Sequence, residues 1–388
     1  MQQDLLQLRE SKSLVQMRRR ERHLQAVRRG AAWLAGVAVA MGFVALADRV
    51  VWRRGAPQPS QRSLQAPAHP SYTLGRNYLD QFLSGLDLQR AAQAFECSTQ
   101  AEPGFAPAYG CLAYAHIWAH DFWNPWWKDL PEAQQYASEG LKRGDSAEAH
   151  LALAWCYAVG EWRWQEAQRE YETAFALQPS SALCHFSYGE FLRLIGYAEE
   201  GLKELKVAMS IEPHPKFLDV RWPAFLVDAK HYDEALAAIE KSRGSIPSDW
   251  SQNAERNAFC ALGRFADAIE MDREFCLSKG RLEDDVAQEF APLKRAFAAE
   301  GAKGYWRAGI KMTQGFEQTC CYAQAGEKEK ALTQLKAALQ RRDRQSLFHV
   351  MTDWRLDDLR SDPAFKDLLK EMNLPRPMAQ GRLPSPLK

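Results

Sequence analysis

The chain has 388 residues, 46% of them hydrophobic, so it is long enough to bury a sizeable core and to hold two domains. Its formal net charge is only +1, but residues 1–54 carry 11 Lys and Arg against 4 Asp and Glu, whereas the rest of the chain carries 39 against 45. A mildly acidic body offers no electrostatic surface for nucleic acid, and we therefore expect no nucleic-acid partner.

The N-terminal segment, residues 1–29, is rich in basic side chains. It carries eight Lys and Arg, contains no proline and has aliphatic residues at loosely helical spacing. This pattern predicts a basic cytoplasmic tail that is helical next to a membrane. Two roles fit the charges: they bind anionic lipid, or they only fix the topology of the segment that follows.

A membrane-spanning segment is predicted after the tail. Residues 30–47 form a run of 18 residues without a charge, which at ~1.5 Å per residue gives about 27 Å of helix. Trp33 and Trp52 lie near its ends, as expected of aromatic residues at a membrane interface, so we predict a transmembrane helix over residues 30–52. The Ala-Leu-Ala sequence at 45–47 also resembles a signal-peptidase site. The charged leader ahead of the apolar run is long for a cleaved signal, which favours an uncleaved anchor.

Two further segments are not expected to fold. Residues 53–71 are rich in proline, glutamine and serine and predict an extended linker. Such a chain rises ~3.1 Å per residue, so it would hold the body tens of Å from the membrane. Residues 376–388 contain further prolines and predict a disordered tail.

Between these segments, over residues 72–375, the chain repeats itself. Pro179, Pro213 and Pro247 recur at equal intervals, and the same pattern of small and large residues is found between them. Gly189 and Gly201 are small residues at positions where two helices would approach each other. The interval matches the fixed period of about 34 residues that is typical of a helix-turn-helix array, in which a hairpin buries its apolar face only against its neighbours.

The period and the pattern resemble tetratricopeptide repeats, over roughly residues 71–375. The run at 357–369, DDLRSDPAFKDLL, and the motif at 160–167, GEWRWQEA, are similar to the C-terminal tetratricopeptide sensor domains of bacterial membrane-anchored regulators. In that group the repeats commonly follow a winged-helix, cyclase or kinase domain across one transmembrane helix, and residues 1–29 are too short for a winged-helix domain. The resemblance implies an all-α fold, a right-handed α-solenoid of stacked tetratricopeptide hairpins preceded by one transmembrane helix.

No motif of catalytic or cofactor chemistry accompanies the repeats. The sequence lacks a phosphate-binding loop, a dinucleotide glycine pattern, a zinc-protease motif and a nucleophile elbow, so we expect no enzyme activity and no cofactor. His116 and His120 share a helix face, but no third ligand accompanies them, and we predict no metal site. The eight cysteines include no Cys-x-x-Cys pair, and most of them are expected to pack as small hydrophobic side chains.

The resemblance also implies a ligand-binding groove, because certain positions of each first helix face the concave side of a tetratricopeptide array. The matching positions are Tyr114, Trp118, Leu151, Trp155, Phe186, Glu190, Arg193, Phe217 and Val220. An aromatic lining with one charged pair suits a protein or peptide ligand, and a row of aromatic side chains open to water is typical of a partner site. Two alternatives stay open: these side chains pack within the stack, or recognition uses the aromatic loop at 122–127.

Together, the membrane segment and the groove predict a membrane-anchored, non-enzymatic scaffold or sensor that binds a protein or peptide. The alternative is a signal-transducing regulator, which couples binding outside the cytoplasm to a separately encoded cytoplasmic effector through the basic tail. A partner on the groove would support the first hypothesis. A partner that is lost on deletion of residues 1–29 would support the second.

The charges around residues 30–52 predict the orientation of the chain in the inner (cytoplasmic) membrane. Eight basic residues precede the apolar run and three follow it directly, so the positive-inside rule places the N-terminus in the cytoplasm and the repeats outside. A reporter fused after residue 70 should therefore be active only if it is one that works outside the cytoplasm. Activity of a cytoplasm-only reporter at that position would show that this orientation is wrong.

Overall fold

The computed structural model describes residues 69–81, 85–119, 129–212, 216–244 and 248–374. The predicted basic tail, transmembrane helix and disordered C-terminal tail lie outside these ranges, as do the aromatic loop at 122–127 and all but the last three residues of the predicted linker. Within the described ranges, no helix is both long and apolar enough to cross a membrane.

The described ranges consist of helices and turns, without a β-strand. In chain order the helices are α1 (Pro70–Asp80), α2 (Gly85–Ala101), α3 (Ala106–Trp118), α4 (Leu130–Leu141), α5 (Ala147–Trp155), α6 (Trp164–Leu177), α7 (Ala182–Leu194), α8 (Ala198–Ile211), α9 (Lys216–Asp228), α10 (Tyr232–Ser242), α11 (Ser248–Ala261), α12 (Phe265–Ser278), α13 (Glu283–Met312), α14 (Gly315–Gln324), α15 (Lys328–Gln340), α16 (Arg344–His349) and α17 (Pro363–Glu371). A π-helical turn, Cys156–Glu161, extends α5, and a 3-10 helix, Trp354–Leu359, precedes α17.

Successive helices pack against each other as hairpins, from α1–α2 to α14–α15. The second helices α6, α8 and α10 begin at Trp164, Ala198 and Tyr232, so their starts are spaced at the same interval as the three prolines of the repeat. The predicted period is therefore confirmed in these hairpins. Helix α13 covers residues at which the sequence no longer follows the repeat pattern. It bends sharply at Gly301, where φ is 60°.

Two glycines allow α7 and α8 to cross closely. A Cβ atom on Gly201 would lie 2.6 Å from the carbonyl oxygen of Gly189, and one on Gly189 would lie 2.9 Å from the carbonyl oxygen of Gly201. Both distances are shorter than van der Waals contact, so only glycine fits on either side. Leu205 and Ala208 on α8 are fully buried. The prediction is therefore confirmed that small residues allow the two helices to approach and that large residues are buried beside them.

Helix α9 continues through Pro223. The sequence predicts a kink or a late start there, because proline lacks the N–H that a helix interior uses. The helix nevertheless begins at Lys216, well before the proline, so the late start is wrong. Phe217 and Leu218 before the proline and Phe225 after it are all buried, and this packing holds both halves of α9 in place.

After the last hairpin the chain turns back onto the middle of the array. The indole N–H of Trp164 on α6 donates to the carbonyl of Met372 at 2.8 Å, and the guanidinium of Arg342 donates to the carbonyl of Val159 at 2.9 Å. These bonds join residues that are 208 and 183 positions apart in the chain. The segment that makes them, residues 342–374, is named the C-terminal return.

The C-terminal return covers apolar surface of the array. The sequence predicts a polar helix near residues 363–372 that caps the end of the stack, and α17 lies at that position. However, α17 buries Phe365 and Leu368 in the same apolar core as the first hairpins. Its other face is exposed, and α17 packs against α15 of the last hairpin, so the predicted polar terminal helix is confirmed.

Replacing Gly201 with Leu should overpack the crossing of α7 and α8. The new side chain would meet backbone atoms of Gly189, so we expect a loss of roughly 1–3 kcal/mol in the free energy of unfolding. Gly104→Leu is the matched control, because a Cβ atom at that position meets nothing within 4 Å. Thermal unfolding followed by circular dichroism measures both variants. An unchanged midpoint for Gly201→Leu would contradict the close crossing.

Candidate functional site

The nine predicted groove residues lie on the first helices of four successive hairpins. They are Tyr114 and Trp118 on α3, Leu151 and Trp155 on α5, Phe186, Glu190 and Arg193 on α7, and Phe217 and Val220 on α9. Eight of these side chains are buried, and Trp118 is half-buried. The expectation of an aromatic row open to water is therefore wrong, because the row packs inside the protein. Its part in binding a partner stays a prediction.

Neighbouring hairpins cover one part of this row. The indole N–H of Trp155 donates to the hydroxyl of Ser187 on α7 at 2.8 Å. The rings of Phe186 and Phe217 meet edge to face, with 5.0 Å between their centroids, and Trp118 meets Trp155 in the same way at 4.9 Å. Each first helix thus buries large side chains against the first helix of the next hairpin.

Phe348 on α16 covers another part. Its ring stacks on Trp155 with 5.7 Å between centroids and 18° between planes, and it meets the edge of Trp118 at 6.2 Å. The guanidinium of Arg193 lies 5.8 Å from the same ring, within cation–π range. The repeat pattern does not indicate Phe348, because this residue follows the last hairpin and occupies no repeat position. Its only local signal is the apolar pair at 347–348 within a polar stretch.

Glu190 and Arg193 belong to a buried network of charges. Glu190 accepts hydrogen bonds from Arg193 at 2.6 Å and from Arg221 at 2.7 Å, and Arg193 also donates to Asp228 on α9. Burial alone raises the pKa of Glu190, but the two guanidiniums outweigh it and hold that pKa below its ordinary value. Burial likewise opposes ionisation of Asp228, but Arg193 and His349 keep its pKa low. Glu190 and Arg193 therefore form their hydrogen bonds with groups inside the protein, and not with a ligand in an open groove.

A second buried network ties the C-terminal return to α14. The guanidinium of Arg355 donates to both carboxylate oxygens of Glu317, at 2.6 and 3.1 Å, and its Nε donates to Asp353 at 3.0 Å. Burial raises the pKa of Glu317, but Arg355 and then Arg256 lower it to about 2. This two-pronged pairing fixes the plane of the guanidinium and thereby the start of the 3-10 helix.

A cavity of about 270 Å³ lies where the C-terminal return meets the array. Its walls come from α3, α7, α9, α11, α14 and α16 and from the turn before the 3-10 helix, and members of both charge networks line it. A second cavity, of about 180 Å³, shares Asn257, Glu317 and Arg355 with the first. At this seam the implied groove is reduced to two small cavities.

The described histidine and the two adjacent cysteines do not form a metal site. The ring of His116 lies 5.3 Å from that of Tyr136, and His120 is outside the described ranges. Within those ranges, no group of three His, Cys, Asp or Glu side chains is arranged to hold a metal ion. Cys320 and Cys321 are buried free thiols, as expected of packing residues.

No protein-family model matches the chain, and no curated protein matches it. Among solved structures it is similar to a tetratricopeptide repeat protein from Parabacteroides merdae, with 15% identity over 79% of this chain and 100% of that one and a TM-score of 0.36. It is also similar to yeast Tom70 (11% identity, 82% and 70% covered, TM-score 0.37) and to the TPR domain of P58(IPK) (13%, 78% and 96%, 0.23). The fold is a tetratricopeptide-repeat array. Its described hairpins and their regular period carry that assignment.

Acid should weaken the tetratricopeptide array through Glu317. The pKa of this carboxyl is about 2 in the folded chain, against about 4.3 in an unfolded one, so the unfolded state binds the proton first as the pH falls. Its contribution to stability is complete above about pH 4.3 and is lost as the pH falls toward 2. We expect Glu317→Gln to lower the thermal midpoint near neutral pH and to flatten its fall in acid.

The control for this prediction is Glu300→Gln, which removes an exposed ion pair with Arg307. This variant should keep the wild-type dependence of the midpoint on pH, since an exposed pair contributes little. A Glu317→Gln variant with the wild-type acid dependence would show that other groups set the acid limit.

Proposed function

We propose that the chain is a non-enzymatic interaction module anchored in the inner membrane, whose tetratricopeptide array lies outside the cytoplasm and acts as a scaffold or sensor for a protein or peptide. The apolar run within residues 30–52 and the positive charge ahead of it support the anchor and its orientation. The likeness of the motifs at 160–167 and 357–369 to bacterial membrane-anchored sensors supports the same arrangement.

The main support for a binding role is that the array already binds a helical segment of its own chain, α16. Helix α16 lies against the first helices of the array, and Phe348 enters the aromatic row as the anchor of a peptide ligand would. Ring stacking on Trp155 and the cation–π contact with Arg193 are typical of aromatic anchors at interfaces. This surface therefore accommodates a helical segment of protein.

A partner would bind beside the C-terminal return, at the mouth of the larger cavity. Trp118 is the predicted groove residue that is only half-buried, and it lines this cavity together with Arg221 and Asn253. Asn253 is exposed, and the side chain of Arg221 is 19% exposed. In this proposal the eight buried groove residues only support the binding surface. The partner contacts Trp118, Arg221 and Asn253 at the mouth of the cavity.

The chemistry of the cavities supports a non-enzymatic role. Cys260 and Cys321 line the smaller cavity. Burial raises the pKa of Cys260 to about 12 and that of Cys321 to about 11. Both thiols are therefore protonated at neutral pH, whereas the thiolate is the nucleophilic form of cysteine.

The second candidate function is the regulator that signals to a separate cytoplasmic effector. The observation in its favour is the separation of charge, with an excess of seven positive charges in residues 1–54 and an acidic remainder. A tail that only fixes topology tolerates replacement by an unrelated basic sequence, whereas a tail that binds an effector does not.

Photo-crosslinking from the rim of the cavity tests the proposed function. The full-length chain in its native membrane would carry p-benzoylphenylalanine at Asn253, or at Gln135, which is exposed on α4, as the matched control. We expect a light-dependent adduct with a protein or peptide from position 253 and none from position 135. An adduct that persists after residues 2–29 are replaced by another basic sequence supports the scaffold or sensor. Absence of an adduct at 253 would contradict both the site and the role.

A further inference from the structure

The larger cavity is a seam between two parts of the chain. Helices α3, α7, α9, α11 and α14 of the array contribute to its lining, and so do α16 and the turn that carries Asp353, which belong to the C-terminal return. Its volume is about 270 Å³, close to the lower end of the ~300–1,000 Å³ that is usual for small-molecule sites. A molecule of the size of a modified amino acid fits this volume, whereas a folded protein segment does not.

The charges on the walls are balanced and already paired. Three guanidiniums and three carboxylates line the cavity: Arg193, Arg221, Arg355, Asp228, Glu317 and Asp353. The guanidiniums donate to carboxylates of the two networks described above. A ligand with a net charge would lose its hydration without gaining a free counter-charge. The walls therefore favour a ligand without net charge.

Two amide groups supply the hydrogen-bonding capacity that remains. Asn257 lies on α11 and Gln345 on α16, both half-buried, and among the described residues neither side chain has a hydrogen-bond partner. Each amide offers two N–H donors and one acceptor oxygen, which pair well with the donor and acceptor of another amide. Asn257 belongs to the array and Gln345 to the C-terminal return.

Aromatic rings complete the lining. Trp118, Phe316 and Phe348 all contribute to the wall, so the cavity offers an apolar surface beside its amides. Known small-molecule sites combine an apolar lining with a few polar groups that fix the orientation of the ligand.

We propose that this cavity binds a small molecule without net charge, which carries an amide and a planar or apolar group. The amide pairs with Asn257 and Gln345, and the apolar group lies against Phe348. Because the two amides belong to α11 and α16, a bound molecule bridges the array and the C-terminal return. This inference goes beyond the protein partner proposed above, because it assigns a second kind of ligand.

Thermal unfolding and calorimetric titration of the full-length chain in detergent test this site. The probe is N-acetyl-L-phenylalaninamide, which has two amides, one ring and no charge. We expect it to raise the midpoint by about 5 °C at a hundredfold excess over its Kd. N-acetyl-L-phenylalanine has almost the same shape but carries a carboxylate, and we expect it to bind at least tenfold more weakly, because the walls offer no free cation.

Two variants remove the amides one at a time. Asn257→Leu and Gln345→Leu should each abolish the shift in midpoint, whereas Gln135→Leu on the exposed face of α4 should retain it. Far-UV circular dichroism establishes that each variant is folded, and Gln345→Leu, on the short helix α16, serves as the test if Asn257→Leu does not fold.

Three outcomes would overturn the proposal: no shift with the uncharged probe, equal binding of the two probes, or a shift that survives in either amide variant once that variant is shown to be folded. None of these bears on the photo-adduct expected at position 253, which reports a protein partner. Failure of the small-molecule site and failure of the proposed function are therefore distinguishable.

Discussion

The contact of Phe348 with the first helices of the hairpins is the interaction on which the closed form of this array depends. The large side chains on those helices would meet water if the array were open, and α16 covers part of them. The C-terminal return also buries Leu347, Val350 and Leu356, each worth roughly 1.5–3 kcal/mol before the cost of ordering the chain. A segment that buries so much apolar surface belongs to the fold, and its wholesale departure is not the expected route to partner binding.

Closure also removes charged side chains from water, so each of them needs a partner. Arg193 and Arg355 are almost completely buried, and each is held by two carboxylates. Buried ion pairs add little net stability, because desolvation offsets most of the attraction, but breaking one leaves an uncompensated charge. Two apolar surfaces can shift slightly against each other without losing their contact. An arginine that donates two parallel hydrogen bonds to a carboxylate requires one relative position of the two groups. We infer that the Arg355 network fixes the register of the C-terminal return against α14 more than it stabilises it, whereas the Arg193 network joins α7 to α9.

The sequence predicts those features that arise from contacts within a repeat. The period and the glycine crossing of Gly189 and Gly201 both follow from neighbouring helices. The return joins residues about two hundred positions apart, and no repeat position encodes it. Trp155 shows why the candidate site could not be predicted fully from the sequence. A tryptophan on the first helix of a hairpin is equally compatible with an open groove and with a covered core. Its burial depends on Phe348, a residue outside the repeat pattern.

A closed array changes what recognition at the concave side requires. In an open array a ligand contacts successive hairpins, and its binding does not depend on the end of the chain. Here the walls of the larger cavity belong to both the array and the C-terminal return, so any contact there stabilises the closed form relative to forms in which the seam is parted. A ligand shifts such an equilibrium only through a difference in its affinity for the two states. In the small-molecule site proposed above, Asn257 and Gln345 would supply that difference, because one ligand could reach both amides only while the seam is closed.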